Sequence, residues 1–355
     1  MEHRKIAVLV VEDSPTVRLF LTHLLESDPQ IRVIGAVDDG QAALDFVRDQ
    51  RPDVVVMDLN MPRLDGFEAT RLMMQSHPVP IVICSATTNV KDTIITFRAM
   101  EVGAIACVGK PTRRDDGDFE DTAKTLLTTV KLMSEVKVVR RHPHRPRPSV
   151  AAQERQRATE LRLVGIGAST GGPPVLQTIL GALPKNFAAP ILVVQHMARG
   201  FIAGMAEWLN DTTALQVHIA SHGIYPQPGH VYLAPDDFHM GVGGGGAIAL
   251  SREPPDNHLR PAVSFLFRSI AAAWGPSAVG VLLTGMGRDG AEALKTMKDR
   301  GAVTIAQDRE SCAVNGMPGA AIELGAAAHV LAPERIAQTL IKLVDPNGPP
   351  TDKTS

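Results

Sequence analysis

Hydrophobic residues in the first part of the chain form short continuous runs, and the segments between them are amphipathic. Residues 6–11, 54–57 and 81–84 are unbroken apolar runs, which are typical of parallel strands buried on both faces. Apolar positions recur at helical spacing in residues 15–25 and 41–48. This alternation predicts a doubly wound α/β sheet, in which ligands bind at the carboxyl ends of the strands.

The second part of the chain repeats the alternation and adds a different region. Residues 232–250 contain short apolar runs broken by glycines, which predicts antiparallel hairpin strands inserted in or added to the sheet. The remaining pattern predicts a second doubly wound, mostly parallel α/β domain. Its predicted strands are 161–166, 190–195, 279–283 and 303–307, and its predicted helices are 201–209, 261–274 and 291–299.

A basic, proline-rich stretch separates the two parts. Residues 140–149 read RRHPHRPRPS and contain almost no apolar side chain, so the stretch is unable to form a core and is typical of an exposed linker. A patch that binds nucleic acid or an acidic partner is the alternative, although most charge runs are simply solvated. We predict four segments: a first domain at 1–132, a linker at 133–160, a second domain at 161–345 and a flexible tail at 346–355.

Polar residues follow the predicted strands of the first domain. Carboxylates crowded at one sheet edge repel one another unless a cation lies between them, and hard oxygen ligands suit Mg²⁺. A nearby lysine supplies a counter-charge for a phosphoryl group, whereas each residue taken alone is an ordinary polar strand terminus. The five residues are Glu12, Asp13, Asp58, Ser85 and Lys110.

Five motifs make this domain resemble the receiver domains of response regulators, which are flavodoxin-like. They are VVED at 10–13, MDLNMP at 57–62, DG at 65–66, CSA at 84–86 and GKP at 109–111. The resemblance implies that Asp58 accepts phosphate from a histidine kinase and that Ser85 and Lys110 contact the phosphoryl oxygens. It also implies a Mg²⁺ site made by Glu12, Asp13, Asp58 and the Asn60 carbonyl. Two positions depart from the family pattern: Glu12 replaces the commoner Asp, and Cys107 stands where an aromatic switch residue is usual.

A glycine-rich turn at 163–172 (LVGIGASTGG) begins the second domain and carries Ser169. Residues 167–171 fit the G-x-S-x-G pattern of a nucleophile elbow. A phosphate-binding turn of the dinucleotide type fits the glycines equally well. The next predicted strand ends in Gln195 and His196 rather than in an acidic residue that holds a ribose, which weakens the dinucleotide alternative.

Ser169, His196 and Asp289 each follow the carboxyl end of a predicted strand. A serine nucleophile needs a base within reach, and the base needs an acid that fixes its tautomer. Taken singly, His196 is an ordinary strand-end histidine and Asp289 is an N-cap for the helix that begins at Ala291. Taken together, they predict a catalytic triad in the order Ser, His, Asp, which differs from the order in α/β-hydrolases.

Long motifs around these residues resemble the catalytic domain of the chemotaxis protein-glutamate methylesterases, a family that also places a receiver before it. They are GIGASTGGP at 165–173, VQHM at 194–197, LTGMGRDGA at 283–291 and SCAVNGMP at 311–318. The resemblance implies a serine esterase that hydrolyses glutamate γ-methyl esters on chemoreceptors and also deamidates glutamine, without a catalytic cofactor. It implies oxyanion stabilisation by the Met286 backbone N–H with help near Thr170. Phosphorylation is expected to relieve a block by the receiver.

Composition bears on three further questions: nucleic-acid binding, membrane insertion and the cellular compartment. The chain has 355 residues, a net charge of -2, 4% aromatic residues and three cysteines. The small net charge and the low aromatic content both argue against nucleic-acid binding. The sequence has no apolar segment long enough for membrane insertion. An odd, dispersed cysteine set suits the cytoplasm. If the chain were a transcription factor, its second part would show a helix-turn-helix pattern, whereas it shows a sheet pattern. If the chain were a non-catalytic adaptor, its function would not depend on the triad.

Overall fold

A computed structural model of the chain describes residues 4–85, 90–111, 119–136 and 161–344. The predicted tail and nearly all of the predicted linker lie outside the described residues. The chain divides into two compact units, one formed mainly by the first three of these ranges and the other mainly by the fourth. No helix in the described ranges is both long enough and apolar enough to cross a bilayer.

The first unit is a five-stranded parallel sheet with the order β2-β1-β3-β4-β5. Strand β2 lies on one side of β1, and β3, β4 and β5 follow on the other side, so the topological switch point lies between β1 and β3. The strands are β1 (Ile6–Val11), β2 (Ile31–Val37), β3 (Val54–Met57), β4 (Ile81–Ser85) and β5 (Ala106–Gly109).

Helices cover this sheet, and short polar side chains begin three of them. The side chains of Ser14, Asp39 and Asp65 each accept a hydrogen bond from the backbone N–H three residues later, which satisfies a free amide of the first turn. The helices are α1 (Pro15–Glu26), α2 (Gly40–Asp49), α3 (Gly66–Ser76), α4 (Val90–Glu101) and α5 (Phe119–Met133).

The second unit contains a seven-stranded parallel sheet with the order β14-β13-β12-β6-β7-β9-β8. Strand β6 lies between β7 and β12, so the strand that leads into the Ser169 turn is central and buried. The strands of this sheet are β6 (Leu163–Ala168), β7 (Ile191–Gln195), β8 (Gln216–Ile219), β9 (His230–Leu233), β12 (Ala278–Leu282), β13 (Val303–Gln307) and β14 (His329–Leu331).

The predicted hairpin is present, but it is not part of the large sheet. Strands β10 (His239–Val242) and β11 (Ile248–Ser251) pair antiparallel as a separate two-stranded sheet. The first run of the same region, β9, instead joins the large sheet in parallel with β7 and β8. The short glycine-broken runs did not distinguish these two pairings because they are equally apolar.

Six α-helices in the described ranges lie wholly or mainly in this unit. Helix α8 packs against both β6 and β10 and joins the large sheet to the hairpin. Its residue Val263 lies against Gly167 so closely that a Cβ there would be 2.2 Å from a valine methyl. The helices are α6 (Gly172–Gly181), α7 (Ile202–Thr212), α8 (Val263–Ala273), α9 (Ala291–Asp299), α10 (Met317–Glu323) and α11 (Pro333–Val344).

Candidate active site and phosphorylation site

The turn between β6 and α6 carries Ser169 out of the sheet. Gly171 has a φ of 76°, in the left-handed region that favours glycine. A Cβ on this residue would also be 2.5 Å from the Cβ of Ala313. Helix α6 then begins at Gly172 with prolines in its first turn, as the sequence predicts. Ser169 is therefore partly exposed on a sharp turn whose shape depends on glycine.

Both neighbouring strands hold the backbone of this turn. The N–H of Ser169 donates to the carbonyl of Thr284, at 3.0 Å, on the side of β12. On the side of β7, the Gln195 Nε2 donates at 2.8 Å to the carbonyl of Ser169 and also at 2.8 Å to that of His196. The serine is thus fixed through its main chain, which leaves its hydroxyl group free for chemistry.

His196 and Asp289 meet across the end of β6. His196 follows β7 and its N–H donates to Ala168 at 2.9 Å, whereas Asp289 follows β12 on the opposite side. His196 Nε2 nevertheless lies 3.0 Å from Asp289 Oδ2, and both side chains are largely buried. The structure therefore brings the predicted base and acid together at the strand end that leads into Ser169. Among the described residues it shows no hydrogen bond between the serine hydroxyl and the ring.

Asp289 also caps the N-terminus of α8, a helix whose own N-cap residue, Ala262, has no side-chain acceptor. Its carboxylate accepts the N–H groups of Val263 at 2.6 Å and Ser264 at 3.0 Å. Burial works to raise the pKa of Asp289, but the nearby His196 ring and the hydrogen bonds from Ser264 outweigh it and lower that pKa. The alternative prediction of an N-cap for α9 is wrong, since Gly290 occupies that position without a side-chain bond.

Two backbone donors lie beside Ser169. Neither the N–H of Thr170 nor that of Met286 has a hydrogen-bond acceptor among the described residues. Gly285, which precedes Met286, lies so close to the turn that a Cβ there would be 2.6 Å from the Cβ of Ser169. A glycine at this position lets the chain after β12 approach the serine, and the exposed side chain of Met286 lies just beyond it.

In the first unit, the predicted acidic residues and the lysine are adjacent. Lys110 Nζ lies 2.8 Å from Glu12 Oε2 and 2.9 Å from Asp58 Oδ1, with both carboxylates nearly buried. Carboxylate oxygens of Glu12, Asp13 and Asp58 all lie within 4.8 Å of one another. Asn60 is exposed two residues after Asp58. The arrangement combines hard oxygen donors with one cation.

Burial and charge shift the ionisation of this group. Burial raises the pKa of Glu12, against the lowering effect of Lys110. Burial also works to lower the pKa of Lys110, but its hydrogen bonds to Asp58 and Glu12 raise it overall. The Ser85 hydroxyl is buried and has no hydrogen-bond partner among the described residues. An unpaired buried hydroxyl costs free energy unless a ligand satisfies it.

Sequence reasoning missed the residues that position this site. Gln195 and Thr284 bond to the Ser169 turn, Ser264 Oγ accepts the N–H of Gly290 at 2.9 Å, and Gln307 Oε1 accepts the N–H of Thr284 at 2.8 Å. Three of them lie at or just beyond the end of a strand, next to a predicted site residue or on an adjacent strand. That placement is the signal that could have found them.

Similar proteins identify the family. A protein-glutamate methylesterase/protein-glutamine glutaminase of Nitrosospira multiformis is 50% identical over 97% of this chain and 98% of its own length. The chain belongs to this family. A relative from Geobacter metallireducens with the same description, numbered 4, is 52% identical over 95% of this chain and 99% of its own length.

Both domains of the family are present. The family model for CheB methylesterase matches residues 164–340, and the model for the response regulator receiver domain matches residues 8–118. The crystal structure of the Thermotoga maritima CheB methylesterase catalytic domain matches with 43% identity and a TM-score of 0.51. The match covers 52% of this chain and all of that one. The predicted family, enzyme class and α/β fold are confirmed.

Proposed function

We propose that this chain hydrolyses glutamate γ-methyl esters on chemoreceptors through an acyl-enzyme on Ser169. The observation that carries the proposal is the 3.0 Å approach of His196 to Asp289 at the strand end that leads into the serine turn. Names of the relatives supply the substrate class, and the site supplies the groups that acyl transfer needs. The three cysteines are free thiols, which persist in a reducing compartment, and we therefore place the protein in the cytoplasm.

His196 is the base in this proposal. Because Nε2 faces Asp289, Nδ1 is the ring nitrogen that takes the Ser169 proton as Oγ bonds to the ester carbon. Asp289 holds the ring orientation and stabilises the imidazolium that forms. The imidazolium then protonates the departing methoxide, so that methanol leaves and the acyl group stays on Ser169.

Water completes the reaction with the roles repeated. His196 removes a proton from the water as its oxygen attacks the acyl carbon, and it returns that proton to Ser169 as the bond to Oγ breaks. The product leaves as the glutamic acid side chain, which loses its remaining proton to solvent. The unbonded N–H groups of Thr170 and Met286 stabilise the oxyanion in both steps; one such donor is worth about 3 kcal/mol. Glutamine deamidation follows the same path, with ammonia as the leaving group.

The receiver regulates this activity in our proposal. Asp58 Oδ1 is occupied by the Leu59 N–H at 2.8 Å and by Lys110, so Oδ2 is the oxygen that attacks the phosphorus of a phosphohistidine on the kinase. The P–N bond breaks as the O–P bond forms, and the kinase imidazole leaves. Lys110 and the unpaired Ser85 hydroxyl then contact the phosphoryl oxygens. Glu12, Asp13, Asp58 and the Asn60 carbonyl fit Mg²⁺, which when bound neutralises phosphoryl charge.

Methanol release from methylated receptor tests the proposal. We expect Ser169→Ala to abolish release and Ser221→Ala, which changes an exposed serine of the same unit, to leave it unchanged. Equal rates for wild type and Ser169→Ala would exclude the serine mechanism and favour an adaptor role. Asp58→Asn should keep basal hydrolysis and lose stimulation by a small phosphodonor. Asp49→Asn, at an exposed carboxylate, should retain that stimulation.

A further inference from the structure

Thr284 is a fully buried residue just beyond β12, and its backbone is bonded on both sides. Its N–H donates to Gln307 Oε1 at 2.8 Å, and its carbonyl accepts the N–H of Ser169 at 3.0 Å. The residue thus links the end of β13 to the serine turn through its main chain alone. Its side chain adds a second, independent set of contacts.

The Thr284 hydroxyl joins three segments of chain. Oγ1 lies 3.0 Å from the Thr170 carbonyl and 3.2 Å from the Val314 carbonyl, and it accepts the N–H of Val314 at 3.0 Å. One proton serves the two carbonyls, while the oxygen accepts from the amide. The serine turn, the chain leading to Met286 and the loop before α10 therefore meet at one oxygen atom.

The geometry points to Thr284 as a positioning residue that sets the relative placement of the two oxyanion donors. This inference rests on the proposed function. One donor, the Thr170 N–H, belongs to the residue whose carbonyl the hydroxyl binds. The other belongs to Met286, two residues after Thr284 in the chain. The hydroxyl therefore connects the two halves of the oxyanion site without touching the substrate.

Loss of this hydroxyl is expected to lower kcat rather than raise KM. The negative charge on the oxygen develops only as the ester approaches the tetrahedral intermediate, so a misplaced donor removes transition-state stabilisation that the bound ester does not yet use. Misplacement by about 1 Å costs roughly 100-fold in rate. Thr284→Val keeps the volume and β-branching of threonine while it removes the hydroxyl contacts with Thr170, Val314 and Cys312, so it isolates the hydrogen bonds from packing.

The experiment measures kcat and KM for methylated receptor with the full-length protein. We expect Thr284→Val to lower kcat roughly 10- to 100-fold with KM within about twofold, and Thr284→Ser to restore most of kcat. Thr339→Val, which removes a helix hydroxyl bonded to Arg335 in α11, should leave both constants unchanged. Rates are expressed per serine titrated with a fluorophosphonate, so that unfolded protein is not counted.

Several outcomes overturn the inference. An unchanged kcat in Thr284→Val, or a rise in KM alone, would show that the hydroxyl does not position the donors. Failure of Thr284→Ser to restore kcat would assign the loss to packing. If Thr284→Val does not fold, Thr284→Cys, which keeps only a weak donor, takes its place and should lower kcat relative to wild type with KM unchanged; an unchanged kcat would overturn the inference. Retained activity in Ser169→Ala would instead refute the proposed function itself.

Discussion

Asp289 caps a helix to which it does not belong, with its Oδ2 2.6 Å from the N–H of Val263 in α8. The same oxygen lies 3.0 Å from His196. A helix N-terminus carries partial positive charge, so it favours the ionised carboxylate that an imidazolium also needs. The acid of the proposed triad is therefore held in its charged form and in its position by the fold.

The first prediction concerns Asp289→Asn. An amide presents no charge to His196 and favours the wrong ring tautomer, so we expect kcat to fall about 10³- to 10⁴-fold. Methanol release from methylated receptor measures this loss. Asp299→Asn, at an exposed carboxylate paired with Lys295, is the control and should retain activity. A loss below about tenfold would remove Asp289 from the mechanism.

A second prediction follows from the lowered pKa of Asp289. Since the folded pKa lies below the unfolded value of about 3.9, this carboxylate stabilises the fold above that pH. The contribution is lost as pH falls through the folded pKa. We compare the free energy of unfolding of wild type with that of Asp289→Asn. The difference should be constant at neutral pH and should shrink below about pH 4.

Tryptophan fluorescence during urea unfolding provides the measurement. The protein has two tryptophans, Trp208 and Trp274, and both lie in the second unit. Their signal therefore reports the unit that contains Asp289. A stability difference that grows as the pH is lowered would contradict the assigned direction of the shift.

A third prediction compares two glycines. A Cβ at Gly285 would lie 2.6 Å from the Cβ of Ser169 and 2.4 Å from the Met317 sulfur, whereas one at Gly244 would meet nothing within 4 Å. We expect Gly285→Ala to destabilise the second unit by about 1–3 kcal/mol and to suppress labelling of Ser169 by a fluorophosphonate. Gly244→Ala should match wild type in both assays. Normal labelling of Gly285→Ala would mean that the turn does not need this close approach.

The fourth prediction concerns the charge balance around Asp58. Lys110 bonds to two of the proposed metal ligands, so its positive charge opposes cation binding. We expect Lys110→Met to raise Mg²⁺ affinity by at least about fivefold while it slows phosphorylation by a small phosphodonor. Isothermal titration with Mg²⁺ tests the first effect. Lys131→Met, whose lysine pairs with Asp28, should bind Mg²⁺ as wild type does; a weaker affinity in Lys110→Met would place the metal elsewhere.

A fifth prediction concerns thiol reactivity. Burial raises the pKa of Cys84, Cys107 and Cys312 to about 12 in each case. Because the thiolate is the reactive form, iodoacetamide at pH 8 should label the folded protein very slowly and the urea-unfolded protein at all three sites. Mass spectrometry after timed quenching counts the labels. Rapid labelling of folded Cys312 would show that the loop before α10 opens in solution.

Local patterns predicted much of this molecule. The apolar runs around Val8 and Val164 mark central strands because each is buried on both faces and has no polar alternation. The Gly171 turn and the prolines after it predicted where a strand becomes a helix. Since parallel strands share an edge for their carboxyl ends, the polar residues at those ends, such as Asp58 and His196, could be proposed as neighbours before any distance was known.

Pairing between strands was less predictable. The run that contains Tyr232 joins the large sheet, whereas the run that contains Met240 forms a separate hairpin. Both runs are short and contain apolar residues, so their local pattern does not distinguish a parallel strand of the large sheet from a hairpin strand. Only the assembled sheet contains that information.

The sequence alone determined the two α/β units and the strand ends at which polar chemistry gathers, because burial on both faces of a strand leaves a direct apolar signature. The tertiary structure decided which groups hold those residues in place. Asp289 finds the free amides of α8, and Thr284 binds the carbonyl of Thr170, across many intervening residues. Hydrogen bonds of this kind depend on distances between segments that only packing brings together, and no local pattern in the chain records them.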